Sequence, residues 1–225
     1  MIELKRAGYS YGGGEVFNAV DLDLAPGSFH FLTGPSGAGK TTLLKLCYGE
    51  LKPSVGQVLL DGRDSRTVGR DGLARLRQRI GVVHQDCQFL DHLPLSENIA
   101  LPLLVAGRPL APARANLEQL LGWVGLTQKR LSRPPELSGG ERQRAALARA
   151  VIMDPDVILA DEPTGNIDWE MSQRLLTLLV ELNRLGKTVL IATHDMALIR
   201  AAKSEVSARV LRLGGGQLQM AGAAL

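Results

Sequence analysis

Aromatic residues make up only 4% of the 225-residue chain, and its arginines are spread along it rather than clustered beside rings. Nucleic-acid surfaces show that clustering, so no nucleic-acid partner is expected, although the formal net charge is +3. Cysteine is limited to Cys47 and Cys87, which form no C-x-x-C metal pattern. Free thiols in a reducing cytosol are expected. Long apolar runs are missing: the stretch from Ile99 to Ala106 is interrupted by Pro102 and falls far short of a bilayer span, which needs about 20 residues. Residues Met1 to Arg6 contain no apolar signal-peptide core. Work at a membrane would therefore need a partner to hold the chain there. With 45% hydrophobic and 22% charged residues, the remainder is ordinary globular composition. It is enough for one large domain, or two lobes sharing a core.

The most informative stretch is Gly34-Pro35-Ser36-Gly37-Ala38-Gly39-Lys40-Thr41, which fits G-x-x-x-x-G-K-[ST], the phosphate-binding loop. Phe29 to Thr33 before it reads as a short buried strand, and Thr41 to Leu46 after it opens an amphipathic helix. Strand, loop and helix are the context this mechanism requires. The glycines let successive N–H groups converge on phosphate oxygens at a helix N-terminus whose dipole favours negative charge. Lys40 is then expected to reach the β- and γ-phosphates, with the Thr41 hydroxyl a Mg²⁺ ligand. The chain is read as a nucleotide-binding protein of the mixed α/β class.

Partial alternation in Ile2 to Ala7 and Ala19 to Leu24 predicts strands, with Tyr9 to Gly14 as a loop from which Tyr11 could stack on an adenine. Gln57 to Gly62 reads as a strand and tight turn. Leu73 to Arg79 reads as a helix with Arg75, Arg77 and Arg79 on a solvated face. Ile80 to Val83 is a buried strand running into His84-Gln85-Asp86, a polar cluster where α/β sheets place ligands. From about Asp91 to Asp154 the pattern is helical, without sustained heptads, and suggests an insertion in an α/β core. Ser138 is positioned as an N-cap, followed by Gly139 and Gly140. Val157 to Glu162 is an apolar strand ending in two acids, which calls for a cation or polar ligand nearby. Asp161 suits the metal side of a phosphate site and Glu162 the attacking water. Asp168 is a plausible cap for a helix from Trp169 to Leu185; Thr188 to Thr193 is a strand ended by His194. Arg209 to Leu213 and Gln217 to Met220 suggest a terminal hairpin. His30 and His92 have only structural readings.

Taken in order, the phosphate loop, Gln85, Leu137-Ser138-Gly139-Gly140-Glu141-Arg142-Gln143, Asp161-Glu162 and His194 resemble the nucleotide-binding domain of ATP-binding cassette (ABC) proteins. The Leu137–Gln143 stretch is the most specific part, since it matches that family's signature sequence. The resemblance implies a RecA-like mixed sheet, an N-terminal antiparallel β-subdomain and a helical subdomain over roughly 91–154. It implies ATP and Mg²⁺ as ligands: Tyr11 on adenine, and Gly34, Ser36, Gly37, Ala38, Gly39, Lys40, Thr41 and Thr42 around the phosphates. Gln85 would contact metal and water, Asp161 would support the metal, Glu162 would be the catalytic carboxylate and His194 would bond the γ-phosphate. Ser138, Gly139 and Gly140 would complete the site of a second copy, with Asp168 across that interface.

Pro163 to Asp168 is similar to the subgroup serving lipoprotein-release, macrolide-export and cell-division complexes. Leu32 to Leu46 and Asn98 to Leu103 look most like its cell-division ATPases. That resemblance implies a homodimer on ATP binding, held at the cytosolic face of the inner membrane by an integral membrane partner of permease fold and signalling to cell-wall hydrolases. An exporter or lipoprotein-release ATPase is the alternative; a soluble ABC protein or an ATP-gated tether fits less well. Two departures are visible: His84 stands where the family commonly has phenylalanine, and Ile167 where it commonly has leucine.

Overall fold

The computed structural model describes residues 1–165 and 167–220; Asn166, within the Pro163–Asp168 stretch, lies outside the described residues. A six-stranded sheet forms the centre. It contains β3 (Phe29–Thr33), β6 (Ile80–Val83), β7 (Val157–Asp161), β8 (Thr188–Ala192), β9 (Ala208–Gly214) and β10 (Gln217–Met220), in the order β10-β9-β3-β8-β7-β6. All neighbours pair in parallel except the β9–β10 hairpin. Every residue of β3, β7 and β8 is buried, because both faces of this sheet are covered. Alternation divides their side chains between two cores. Phe29, Phe31, Ile158, Val189 and Ile191 face one, and Leu32, Val157, Leu159 and Leu190 face the other.

The second sheet is antiparallel, in the order β2-β1-β4-β5, formed by β1 (Ile2–Tyr11), β2 (Gly14–Leu24), β4 (Val55–Leu60) and β5 (Arg63–Asp64). Its inner face, with Ile2, Leu4, Phe17 and Val58, packs with α1 (Lys40–Cys47) on the second core. Tyr9 to Tyr11 belong to the strand rather than to the expected loop. Only Gly12 and Gly13, at φ +51° and +100°, make the reversal, and Tyr11 pairs with Gly14.

Helices α3 (Leu95–Val105), α4 (Leu110–Trp123) and α5 (Gly139–Val151) fall between β6 and β7. Pro102 removes one internal hydrogen bond from α3 without ending it. Asn98 is fully buried and ties the preceding turn, accepting from Leu90 N at 2.8 Å and donating to Leu90 O and Leu93 O at 3.0 Å. The arginine face expected after Leu73 is not one face. In α2 (Arg70–Arg77), residues two apart point to different sides. Arg77 donates to the Tyr48 and Gly49 carbonyls, whereas Arg79 lies past the helix and pairs with Asp156 and Asp61. Two helices follow β7: α6 (Trp169–Arg184), and α7 (Met196–Lys203), which the sequence reading omitted. Asp195 caps α7 by accepting from Ala197 N at 2.8 Å and Leu198 N at 3.1 Å.

Candidate active site

The loop between β3 and α1 holds its shape because two of its glycines are sterically required. A Cβ on Gly34, at φ +154°, would lie 2.3 Å from the Leu213 carbonyl oxygen. One on Gly39, at φ +97°, would lie 2.5 Å from Val16 Cγ1. Gly39 precedes α1 with no side-chain cap, so the first amides of that helix remain uncommitted. Lys40 folds back across the loop, and its Nζ donates to Gly34 O at 2.9 Å and Pro35 O at 3.3 Å.

The carboxylates come from the end of β7, two strands from β3. Glu162 N extends the ladder by donating to Ala192 O at 2.8 Å, but the residue itself sits at φ +44°. Such a backbone costs roughly 1–2 kcal/mol. Here it brings Glu162 Oε1 within 3.6 Å of Lys40 Nζ and Oε2 within 3.0 Å of His194 Nδ1. Asp161 is 8% exposed, and its Oδ1 is buried with no hydrogen-bond partner. Burial pushes this carboxyl above its usual range and the neighbouring Glu162 charge adds to that, while the hydrogen bond with Thr41 and the charge of Lys40 oppose it. A buried, partly orphaned carboxylate beside a hydroxyl is an arrangement that a hard cation satisfies.

These groups share an open cleft of about 640 Å³. The loop contributes Gly34, Ser36, Gly37, Gly39, Lys40, Thr41 and Thr42, and around them stand Tyr11, Gln85, Asp161, Glu162 and His194. Ala38 is not among its lining residues, and its methyl group packs on the second core. Val16 and Gly165 do line it and were not singled out from sequence; Val16 is visible only once β2 is seen crossing the loop. Tyr11 is half exposed and braced edge-on by Tyr9 at 4.7 Å. His84 is half-buried with its ring edge-on to Tyr48 at 6.1 Å; burial and then the Arg149 charge push its imidazole below its ordinary value.

Ser138, Gly139, Gly140 and Asp168 do not line this cleft. They form a second cluster where the starts of α5 and α6 meet. Ser138 Oγ accepts from Glu141 N at 3.2 Å, and Glu141 Oε2 accepts from Ser138 N at 2.8 Å, a complete capping box. Asp168 Oδ1 accepts from Met171 N at 2.9 Å, and a Cβ on Gly140 would lie 3.0 Å from Met171 Cγ.

The family model described as ABC transporter matches residues 17–165. The chain belongs to the ABC transporter family. It is 42% identical over 219 residues to the cell division ATP-binding protein FtsE of Escherichia coli K12, covering 97% of both chains. To the FtsE of Bacillus subtilis it is 39% identical over 209 residues, 92% of each chain. The macrolide export ATP-binding/permease protein MacB of Marinobacter nauticus is 39% identical over 223 residues, 97% of this chain but 34% of MacB. The ATP-binding cassette MJ0796, solved as a dimer in a post-hydrolysis state with ADP and Pi, superposes with a TM-score of 0.86 at 32% identity and 97% coverage of both chains. This ABC protein is an ATPase, with the family's mixed α/β fold.

Proposed function

We propose that this ATPase works as a head-to-tail homodimer coupled to an integral membrane partner of the FtsX type, in a cell-division complex that regulates peptidoglycan hydrolysis. The observation that carries the reading is the match to FtsE along 97% of both chains. FtsE of Escherichia coli K12 is also the more identical, at 42% against 39% for the exporter protein MacB. That exporter or lipoprotein-release reading stays second because MacB matches at 39% identity.

In the proposed mechanism Lys40 leaves its two loop carbonyls for phosphate oxygens, Tyr11 stacks on adenine and the amides after Gly39 take the remaining phosphate charge. Thr41, Asp161 and Gln85 would hold Mg²⁺, and the unpartnered Asp161 Oδ1 supports that assignment. Mg²⁺ supplies neutralisation of charge on the phosphate oxygens. Glu162 accepts the proton of the attacking water, and His194 bonds the γ-phosphate. Ser138, Gly139 and Gly140 of a second copy would close the cleft with uncommitted helix-start amides. Asp168 would lie across that interface, so that ATP joins the two chains and its hydrolysis releases them. A groove of about 540 Å³ between β6 and the helices, with Val82, Pro102, Val105 and Met153 in its walls, suits the partner's cytosolic helix. The ATPase would then work at the cytosolic face of the inner membrane.

The test is co-purification of tagged protein from its own membranes, beside Glu162→Gln. Recovery of a small four-span protein with cell-wall-hydrolase regulators supports the division reading. A partner with a large periplasmic domain, or a cargo lipoprotein, replaces it with export. Recovery of no membrane protein with either form sinks both.

A further inference from the structure

The segment that follows β6 has an unusual backbone. Cys87 and Gln88, neither of them glycine, are both left-handed, at φ +53° and +44°. Consecutive non-glycine residues keep such angles only where their surroundings impose them. What imposes them here is Arg149, near the end of α5. Its Nη1 donates to Gln88 O at 2.9 Å, its Nη2 donates to Cys87 O, and its guanidinium lies 4.6 Å from the centre of the Phe89 ring. One planar fork holds two successive carbonyls from above while a ring supports it from below.

Arg149 pairs with no carboxylate among the described residues, and burial acts against its charge. Its hydrogen-bonding capacity goes to the turn. The same helix reaches the same segment a second time. Gln143, 3% exposed, donates from Nε2 to Gln85 O at 3.1 Å, while its Oε1 is buried without a partner. The far end of α5 packs directly on the sheet, since a Cβ on Gly81 of β6 would lie 2.4 Å from the Ala150 carbonyl oxygen. Helix and turn are thus joined at three carbonyls, those of Gln85, Cys87 and Gln88.

We propose that Arg149 is a positioning residue for Gln85: it fixes the left-handed turn at Cys87–Gln88, and so sets where the Gln85 side chain stands in the nucleotide cleft. Arg149 touches neither nucleotide nor metal in this scheme. The proposal rests on the reading that Gln85 serves the hydrolysis site.

The test is a double-mutant cycle on the full chain, reading kcat, KM for MgATP and fluorescent-ATP binding for Arg149→Ala, Gln85→Ala and the pair. Arg149→Ala is expected to lower kcat about tenfold, as misplacement of a catalytic contact does, with nucleotide affinity within about twofold. In the Gln85→Ala background the same substitution should cost almost nothing more. Arg149→Lys keeps the cation but not the two-pronged grip, and should recover only part of the rate. If Arg149→Ala does not fold, Arg149→Lys carries the cycle with the same non-additivity expected. An Arg149 effect that remains whole in the Gln85→Ala background overturns the positioning role alone. A Gln85→Ala chain with wild-type kcat overturns the assignment of Gln85, and the proposal with it.

Discussion

Nδ1 of His194 stands 3.0 Å from Oε2 of Glu162, while the other oxygen of that carboxylate lies 3.6 Å from Nζ of Lys40. One carboxylate thus bridges two groups assigned to phosphate contacts, in the space where a γ-phosphate would come. In the proposed mechanism, ATP binding would exchange this bridge for phosphate contacts and leave Glu162 to face water.

Glu162→Gln keeps an acceptor of the same shape but removes the base. Steady-state hydrolysis should fall by about a hundredfold or more, the usual worth of a positioned general base. Mg²⁺-dependent ATP binding should survive, and size-exclusion chromatography with ATP should give a stable dimer. Wild-type turnover in this variant would remove Glu162 from the catalytic assignment.

Ser138 caps α5 and, in the proposed dimer, would also complete the partner's phosphate site. As the cap of α5 it accepts from Glu141 N at 3.2 Å, and Ser138→Ala should cost about 1 kcal/mol of stability. Asparagine is as good a cap, so Ser138→Asn should melt within a degree or two of wild type and still lose about tenfold in hydrolysis by crowding the partner's phosphate site. Complementation gives a sharper check. Mixing Ser138→Asn with Lys40→Ala protein should return about a quarter of wild-type activity, because half of random dimers then hold one intact composite site. If the mixture stays at the level of its parents, the site does not span two chains.

His30 is 2% exposed on β3, and its Nδ1 has no partner. Burial, followed by the Arg209 charge, pushes its imidazole below its ordinary value, with Asp23 opposing. The unfolded chain therefore takes up a proton near pH 6.5 that the folded chain refuses. The resulting stability is present above that pH and is lost as the pH falls through it, by at most about 1.4 kcal/mol per pH unit for this one group. Urea denaturation between pH 5 and 7.5 should show a flatter acid limb for His30→Leu than for wild type. Parallel limbs would mean that His30 titrates alike in both states.

Neither thiol is poised to react. Burial pushes Cys47 up to about 12, and it raises Cys87 as well, against the opposing Arg149 charge. Both are free and buried. An aromatic disulfide reagent should label less than one thiol per chain in minutes under native conditions and two in denaturant. Rapid native labelling would show that the turn around Cys87 opens.

Much of the cleft was legible because phosphate chemistry constrains local sequence. A glycine-rich loop must sit between a strand and a helix, and an acid pair ending an apolar strand must meet a cation. The central strands were readable for the same local reason, being continuous apolar runs. What escaped the reading depends on neighbours remote in sequence. Val16 lines the cleft only because β2 crosses the loop, and Ala38 faces the core only because of the turn around it. Arg77 and Arg79 looked like solvated charge until backbone carbonyls and distant acids were in place. The α7 helix was missed since its start depends on a single Asp195 cap after a strand.

The pairing of β3 joins segments of the chain that are made far apart in time. Its neighbours are β8 and β9, with Phe29 opposite Val189 on one side and Ala208 on the other. Gly34, the first residue of the phosphate loop, rests against Leu213. A ribosome adding about 5–20 residues per second therefore emits the loop early and finishes its supports on the order of ten seconds or more later. Throughout that interval the nascent chain carries the loop's residues without the two strands that flank β3. A chain stopped before the ninth strand lacks that support, so ATP should protect only protein whose synthesis has passed Leu213.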